Sequence, residues 1–589
     1  MSDPFAFTEG PRDAPVLVVG EAWGSQEEYH RLPFKGESGR LLRKLLVASG
    51  IEPDRAVVED MRLPLKNCIT ANVVNAKPNG NDFTNFLFPI SAKEPLFKGV
   101  HPRPILIEGL DKLHLLIETL KPRLIIACGN WPLWALTGKA KCDTKVGYKL
   151  PTGIGSWRGS QLYYFSAPNG ELCNIPVLPI YHPAMILRDY TAYSVTLHDL
   201  KARGKRFLEA NDPNSWAAPP PRNRHARPSY EMTKAILGLW LSKLEEGPLK
   251  LAADIETYRR RWISVMGFAD GERSICIPFF YFKNGVMQDY FTLEQEQEII
   301  LLCRKILQHP NARLIGQNFS YDHSFLRRVW WCITRLHADT MLMHHLCWPG
   351  TPKALDHLSS LYCHHHVYWK DESNDWDGKG DPIDYWNYNC QDTEKTFEIH
   401  TQLDSLLDVL KLREQWQHRL AMWHLSMEMS AKGVAFSNDA RTKARKELMA
   451  TGADIEDFLL RCMPEDLRFT SSGKPWFSSP TWTAKIFYDY MKIPAVLNKK
   501  TKRPTTDTTS FDALKKRAPI LAPVVERLKL LRSIGVFSNN FLSVDTSFDG
   551  RIRCTFNVGG TVTFRWSSNV NPFGEGTNLQ NIPEGNEDK

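Results

Sequence analysis

The chain has 589 residues, 42% of them hydrophobic and 24% charged, with a formal net charge of +8. That length predicts three or four domains, and with no signal-peptide pattern and no apolar run of bilayer-spanning length, a soluble, cytoplasmic protein is expected. The twelve cysteines stand singly from Cys68 to Cys554 without a C-x-x-C pair. That spacing favours reduced thiols over a disulfide framework or a thiolate metal site.

Residues 15 to 210 alternate apolar strands with helical patterns. Strands are expected at Val16 to Gly20, Asn67 to Val74, Leu124 to Cys128 and Ile175 to Ile180. Helix faces are expected at Leu41, Leu42, Leu45 and Leu46, and at Leu110, Leu113, Ile117 and Leu120. The pattern predicts a three-layer α/β/α domain with a largely parallel sheet, whose ligands bind beyond the carboxyl ends of the strands. Three motifs fall at those ends: G-E-A-W-G (20–24), N-V-V (72–74) and Y-H-P-A (181–184). With P-F-K-G-E-S-G-R-L-L from Pro33, they resemble the family 4 uracil-DNA glycosylases. The resemblance implies that Phe34 stacks on a flipped-out uracil, Asn72 reads its polar edge and His182 stabilises charge on the departing base. It assigns Glu21 and Glu27 to the acidic positions of the first motif, Glu21 positioning water or stabilising a cationic sugar and Glu27 binding uracil. Trp23 stands where the family has proline. The family's four cluster cysteines are not matched, with Ala76 at the third position, so no iron–sulfur cluster is predicted. His101, in a long segment from Asn79 to Pro104, resembles the loop histidine of a related group that traps the sugar, but a surface histidine is the preferred reading.

Lys201, Arg203, Lys205 and Arg206 form a basic cluster read as phosphate-contacting. Residues 211–229 carry Pro219 to Pro221 and few apolar side chains, which is linker composition. Residues 1–210 then form one domain, 230–409 a second and 410–589 a third.

The second domain carries four carboxylates in three short motifs over about 140 residues: Asp254 and Glu256 in A-A-D-I-E-T, Asp322 in N-F-S-Y-D, and Asp392 in Y-N-C-Q-D. Leu249 to Ile255 reads as a buried strand, so Asp254 and Glu256, two apart, face one side. Asp392 lies in a helical pattern from about Tyr385, with Tyr388 one turn earlier on the same face, where its hydroxyl orients water. Hydrolysis of a phosphodiester by in-line attack suits two divalent ions about 4 Å apart held by carboxylate oxygen. Asp254-Ile255-Glu256, Asn318 to Asp322 and Tyr388 to Asp392, with D-T-M-L-M-H-H-L from Asp339 and K-A-L-D-H-L from Lys353, resemble the 3′–5′ proofreading exonuclease domain of family A DNA polymerases. The resemblance implies an RNase H-like fold. It makes Asp254, Glu256, Asp322 and Asp392 ligands of two Mg²⁺ or Mn²⁺ ions, with Tyr388 aiding the water and Asn318 contacting DNA. Cys363, His364, His365 and His366, with His344, His345 and Cys347, invite a zinc reading. Adjacent histidines diverge and no ligand spacing recurs, so a surface or helix-end cluster without metal is expected.

The third segment reads as mostly helical, then more β-like after Asn539. M-E-M-S-A-K-G-V-A-F from Met427, T-V-T-F-R-W-S-S (561–568) and N-L-Q-N-I-P (578–583) resemble the thumb and first palm segment of the same polymerases. That implies primer–template contacts by Arg565, Asn578 and Gln580, and duplex-phosphate contacts by Lys499, Lys500, Lys502 and Arg503. Phe564 stands where the family has glycine. The catalytic palm aspartates of the family are not reached by Lys589, so synthesis is not expected from this chain alone. It reads as half of a split polymerase completed by a second polypeptide with the rest of palm and fingers, as a truncated reading frame, or as a fragment. The whole reads as a phage-like replication protein of the host cytoplasm: an α/β multidomain chain acting on DNA, with exonuclease and uracil-DNA glycosylase activities and the front part of a polymerase. The alternative is a non-polymerising DNA-binding subunit or repair nuclease whose first domain only recognises or docks.

Overall fold

A computed structural model describes residues 3–165, 172–219, 222–373, 381–498 and 501–582. The chain divides into two compact units, Met1–Tyr258 with Trp262–Trp416, and Gln417–Lys589 with Arg259–Arg261. Among the described residues no helix is long and apolar enough to cross a membrane.

The first domain of the larger unit is built on strands β1 (Val16–Ala22), β2 (Cys68–Val74), β3 (Leu124–Cys128), β4 (Leu162–Phe165) and β5 (Leu172–Ile180). Their order is β2-β1-β3-β5-β4, parallel except where β4 runs against β5. The strands read as continuous apolar runs because both faces are covered. Alternate residues part: Leu17, Val19, Ile69 and Ile125 enter the core under helix α1 (Pro104–Leu120), where Leu110, Leu113 and Ile117 pack. Val16, Val18, Leu124 and Ile126 enter the opposite core with Leu41, Leu42, Leu45 and Leu46 of the helix Glu37–Ser49. The expected strands and helix faces all form here.

The second domain carries β6 (Asn223–His225), β7 (Leu249–Tyr258), β8 (Trp262–Ala269), β9 (Arg273–Pro278), β10 (Ala312–Gly316) and β11 (Leu336–Asp339) in the order β11-β10-β7-β8-β9-β6. Strands β7, β8 and β9 are antiparallel neighbours, and β10 joins β7 in parallel. Helix α2 (Ile383–Val409) packs across β7, β8 and β9. The approach is close because Gly267 of β8 has no side chain: a Cβ there would lie 2.2 Å from Asn389 Oδ1.

Three expectations are corrected here. The segment read as a linker is built into the folds on either side. Trp216 is fully buried and donates its indole N–H to Leu162 O, while Asn223–His225 extends the nuclease-like sheet and Arg224 makes a two-pronged ion pair with Glu394. The basic cluster is not a uniform phosphate surface, since Arg203 is only 5% exposed and donates to the carbonyls of Ser360, Cys363 and His364. A guanidinium offers five donors in a fixed fork, which suits a set of converging carbonyls. The histidine and cysteine cluster does lie at helix ends, Cys363 capping Leu355–Tyr362 and His344, His345 and Cys347 closing Thr340–Cys347. It is only partly at the surface, however: His364 is exposed, while Cys363 and His366 are buried, His366 against Gln161 of the first domain.

The smaller unit is mostly helical, with a core of Leu459, Trp476, Phe487, Phe511, Val525 and Leu528. Among the described residues beyond Asn539, the strands are short, at Arg551–Ile552, Thr555–Asn557 and Ser567–Asn569.

Candidate functional site

Two sites take shape in the larger unit. The first lies beyond the carboxyl ends of β1, β2, β3 and β5, in a cavity of about 770 Å³ lined by Glu21, Trp23, Phe34, Asn72, Trp131 and His182, among others. Gly20 pairs with Asn72 across β1 and β2, and a Cβ there would come within 2.4 Å of Asn72 Oδ1 and 2.7 Å of the Phe34 ring. Phe34 is held in a left-handed backbone conformation (φ 54°). Its ring lies nearly parallel to that of His182, with centroids 6.1 Å apart. Asn72 is 5% exposed, and its Nδ2 has no hydrogen-bond partner among the described residues. A buried, unsatisfied donor in a cavity wall costs about 1–3 kcal/mol, which a polar ligand edge recovers.

His182 Nδ1 accepts the amide of Ala184, which leaves the ring proton on Nε2. Burial, with Arg188 nearby, pushes its pKa down to about 4. Burial pushes Glu21 up to about 7, opposed by the amides of Trp131 and Asn130. Glu27 lines the same cavity, but its two oxygens accept the amides of Gly24 (3.1 Å) and Gly36 (2.9 Å), tying the first motif to the P-F-K-G loop. His101 is buried, corrected from a surface position: within the 79–104 segment it bonds Glu94 O through Nδ1. Composition did not single out Phe83, whose ring stacks on Trp131 at 3.8 Å in the cavity wall.

The second site sits where β7 meets α2. Ligand atoms of Asp254, Glu256 and Asp392 lie within 4.8 Å of one another. Asp322, on the helix after β10, is beside them, its Oδ1 accepting the amide of Ile255 at 2.9 Å. Burial, then the neighbouring carboxylates, raises Asp254 well above its usual range. The same causes raise Glu256 to about 8, and burial raises Asp322 to about 7. Such a donor set is short of positive charge and offers only hard oxygen, so it fits a divalent ion of the Mg²⁺ or Mn²⁺ kind. Asp339, which opens the D-T-M-L motif, serves as scaffold: its carboxylate accepts the amides of Asn318, Phe319, Met341 and Leu342. Asn318 is thereby held exposed, in a left-handed conformation.

Three residues here were missed in the sequence. Lys370 donates to Asp392 Oδ2 (2.5 Å) and to the Tyr388 hydroxyl (2.8 Å). Trp369 Nε1 donates to Asp392 Oδ1 at 2.7 Å, and Asn389 Nδ2 to Asp254 Oδ2 at 2.9 Å. Asn389 was legible, one turn before Asp392 and beside Tyr388. Trp369 and Lys370 follow the histidine run and carry no spacing signal.

Residues 7–210 match the family described as the uracil DNA glycosylase superfamily, and residues 232–408 match the 3′-5′ exonuclease family of A-type DNA polymerases. The chain joins a uracil DNA glycosylase superfamily domain to a 3′–5′ exonuclease domain. It is 22% identical over 305 residues to DNA polymerase I of Borreliella burgdorferi, a stretch that is 50% of this chain and 32% of that protein. The match thus spans about a third of that relative's length. A solved POL domain of Pol1 from M. smegmatis, in complex with DNA primer-template and dNTP, aligns with a TM-score of 0.45 and 19% identity over 62% of this chain and 57% of that one.

The third segment's residues lie mostly at the surface. Lys499 and Lys500 lie outside the described residues, while Lys502 and Arg503 are exposed and Arg503 O accepts the amide of Asn498. Arg565 and Gln580 are exposed, and Asn578 Oδ1 caps its own turn by accepting the amide of Gln580. Phe564 adopts the left-handed conformation (φ 61°) that glycine favours, with the Arg419 guanidinium 4.5 Å over its ring.

Proposed function

We propose that this protein is a DNA-replication or repair enzyme with two activities, metal-dependent removal of 3′-terminal nucleotides and excision of uracil from DNA. The observation that carries the first is the convergence of Asp254, Glu256 and Asp392 within 4.8 Å, inside a domain matching 3′–5′ exonucleases. These three with Asp322 would hold Mg²⁺ or Mn²⁺, which would supply charge for the attacking and leaving oxygens. Tyr388 orients the water, Asn389 and Lys370 fix the carboxylates, and Asn318 meets the strand at the mouth.

The second activity rests on the unpartnered Asn72 amide beside the Phe34 and His182 rings. Phe34 stacks on the extruded base, Asn72 Nδ2 donates to its carbonyl edge, and neutral His182 donates from Nε2 to the departing base. Glu21 faces the sugar. Glu27 contributes by holding the two loops together rather than by touching the base. In the smaller unit, Lys502, Arg503, Arg565, Asn578 and Gln580 are assigned to primer–template contact, with a thumb and palm character by resemblance.

One 5′-labelled oligonucleotide with an internal uracil tests both. In EDTA followed by alkali, a discrete band at the uracil, lost in His182→Ala, is expected. In Mg²⁺, stepwise shortening from the 3′ end is expected, reduced to background in Asp254→Ala. Metal-dependent shortening that survives Asp254→Ala would refute the nuclease site, and no band at the uracil would reduce the first domain to recognition or docking.

A further inference from the structure

The residues that hold Asp392 of the nuclease site follow a segment that contacts the first domain. Trp369 and Lys370, which together engage both oxygens of Asp392, stand at the end of an arm, Cys363 to Tyr368, that lies against the first domain. Arg203 donates to three carbonyls of this stretch and the residue group before it: His364 at 2.6 Å, Cys363 at 2.7 Å and Ser360 at 3.1 Å. Gln161 and His366 exchange hydrogen bonds, Gln161 N to His366 O at 2.8 Å and His366 N to Gln161 Oε1 at 3.3 Å. Tyr368 N donates to Ser160 Oγ, and the Tyr368 ring meets Trp157 edge-on at 5.2 Å. Behind these, Arg158 and Asp199 form a fully buried ion pair that also reaches Ser360 Oγ and His357. The nuclease domain holds the arm as well, Lys395 donating to His365 O and Glu398 accepting the amide of His364. The contacts of Arg203, Gln161, Ser160 and Trp157, however, come from the glycosylase-like domain, and the residue after Trp369 carries the cation of the neighbouring site.

We propose that the glycosylase-like domain is part of the framework of the nuclease site: it clamps the Cys363–Tyr368 arm, chiefly through Arg203, and the arm sets Lys370 as a positioning residue on Asp392 and the Tyr388 hydroxyl. The inference rests on the nuclease reading above. Lys370 touches a metal-ligating carboxylate and the water-orienting hydroxyl at once, so it fixes their separation. Its charge also faces Asp254 and Glu256, and it therefore competes with a divalent ion for the same oxygens. Removing it has two opposite consequences. The ion binds more tightly because a like charge a few ångströms away has gone, while turnover falls because Asp392 and Tyr388 lose their alignment.

The test uses the full-length chain with Lys370→Met, Arg203→Ala and the pair combined. Mn²⁺ affinity is read by isothermal titration, and kcat and KM by release of 3′ nucleotides from labelled single-stranded DNA. Lys370→Met is expected to lower kcat about 10–100-fold, the range for partners of metal ligands, with KM little changed. Its Mn²⁺ affinity should rise about tenfold, and Lys370→Arg should recover part of the lost kcat. Arg203→Ala should shift both quantities the same way, and the double variant should go no further than Lys370→Met, because Arg203 acts through Lys370. Wild-type kcat and Mn²⁺ affinity in Arg203→Ala, or losses that multiply in the double variant, would overturn the clamp. Faster cleavage in Lys370→Met would overturn the positioning role, since it would make Lys370 a plug. Should Arg203→Ala not fold, Tyr368→Ala, half-buried on the arm itself, decides by the same two readings. Cleavage persisting in a parallel Asp254→Ala sample would sink the nuclease reading, while the Mn²⁺ affinities still report on the clamp.

Discussion

Glu21 and His182 face one cavity, and burial drives both toward their neutral forms. For His182 the consequence is simple: with a pKa near 4 and its proton on Nε2, it is a neutral donor throughout the physiological range. Glu21 is different because its pKa of about 7 lies inside that range. If the carboxylate is the form that faces the sugar, the rate of uracil excision should rise with pH through about 7 and then level off. Glu21→Gln should be slow and flat across the same interval. Stability carries the opposite sign. The folded pKa is raised above the ordinary 4.5, so the stabilising contribution is fully present below about 4.5 and lost as pH rises through about 7. Glu21→Gln should therefore match the parent at pH 4 and exceed it above pH 7 by up to ~3 kcal/mol, the shift expressed as free energy. Chemical denaturation at pH 4, 6 and 8 checks this, and a constant difference across the series would show that Glu21 does not titrate where burial places it.

At the scale of elements, strand and helix identity in the first domain was legible, because buried parallel strands write themselves as unbroken runs such as Val16 to Val19. The motif carboxylates were legible for the same kind of reason. Strand alternation puts Asp254 and Glu256 on one side, and the helical repeat puts Tyr388 and Asp392 on one face. What escaped was whatever depends on contacts between distant segments. Arg203 and His366 look like surface by composition, and the packing of one domain on the other turns them inward. The same holds for Gly267, an ordinary strand glycine in the sequence that is the point where α2 seats on the sheet. Asn389 reaches Asp254 through that gap. Gly267→Ala should force Asn389 aside, costing about 1–3 kcal/mol as overpacking does. It should also lower metal-dependent cleavage while leaving uracil excision at the parent level. Thermal melting with both assays measures it, and unchanged cleavage in a destabilised variant would mean Asn389 does not hold Asp254.

At the scale of the larger unit, the proline-rich segment matters most, because its composition suggests two domains on a tether. Instead Trp216 is sunk in the first domain beside Phe207, and seven residues later Asn223–His225 is a strand of the second. The connection is thus anchored at both ends, and between the domains the Arg158–Asp199 pair is removed from water with Ser360 and His357 around it. Opening the interface would strip Arg158 of Ser360 and Arg203 of its three carbonyl acceptors, contacts all made by buried charged donors. The two domains should consequently lose structure together. When the full-length chain is heated stepwise and assayed after cooling, uracil excision and 3′-end cleavage should decay with one midpoint. Trp216→Ala, which empties a fully buried site at a cost of about 3–5 kcal/mol, should lower that shared midpoint for both activities, although Trp216 touches neither site. Loss of uracil excision in Trp216→Ala with nuclease heat-resistance unchanged would show two independent modules, and would remove the physical basis for any clamp of one domain on the other.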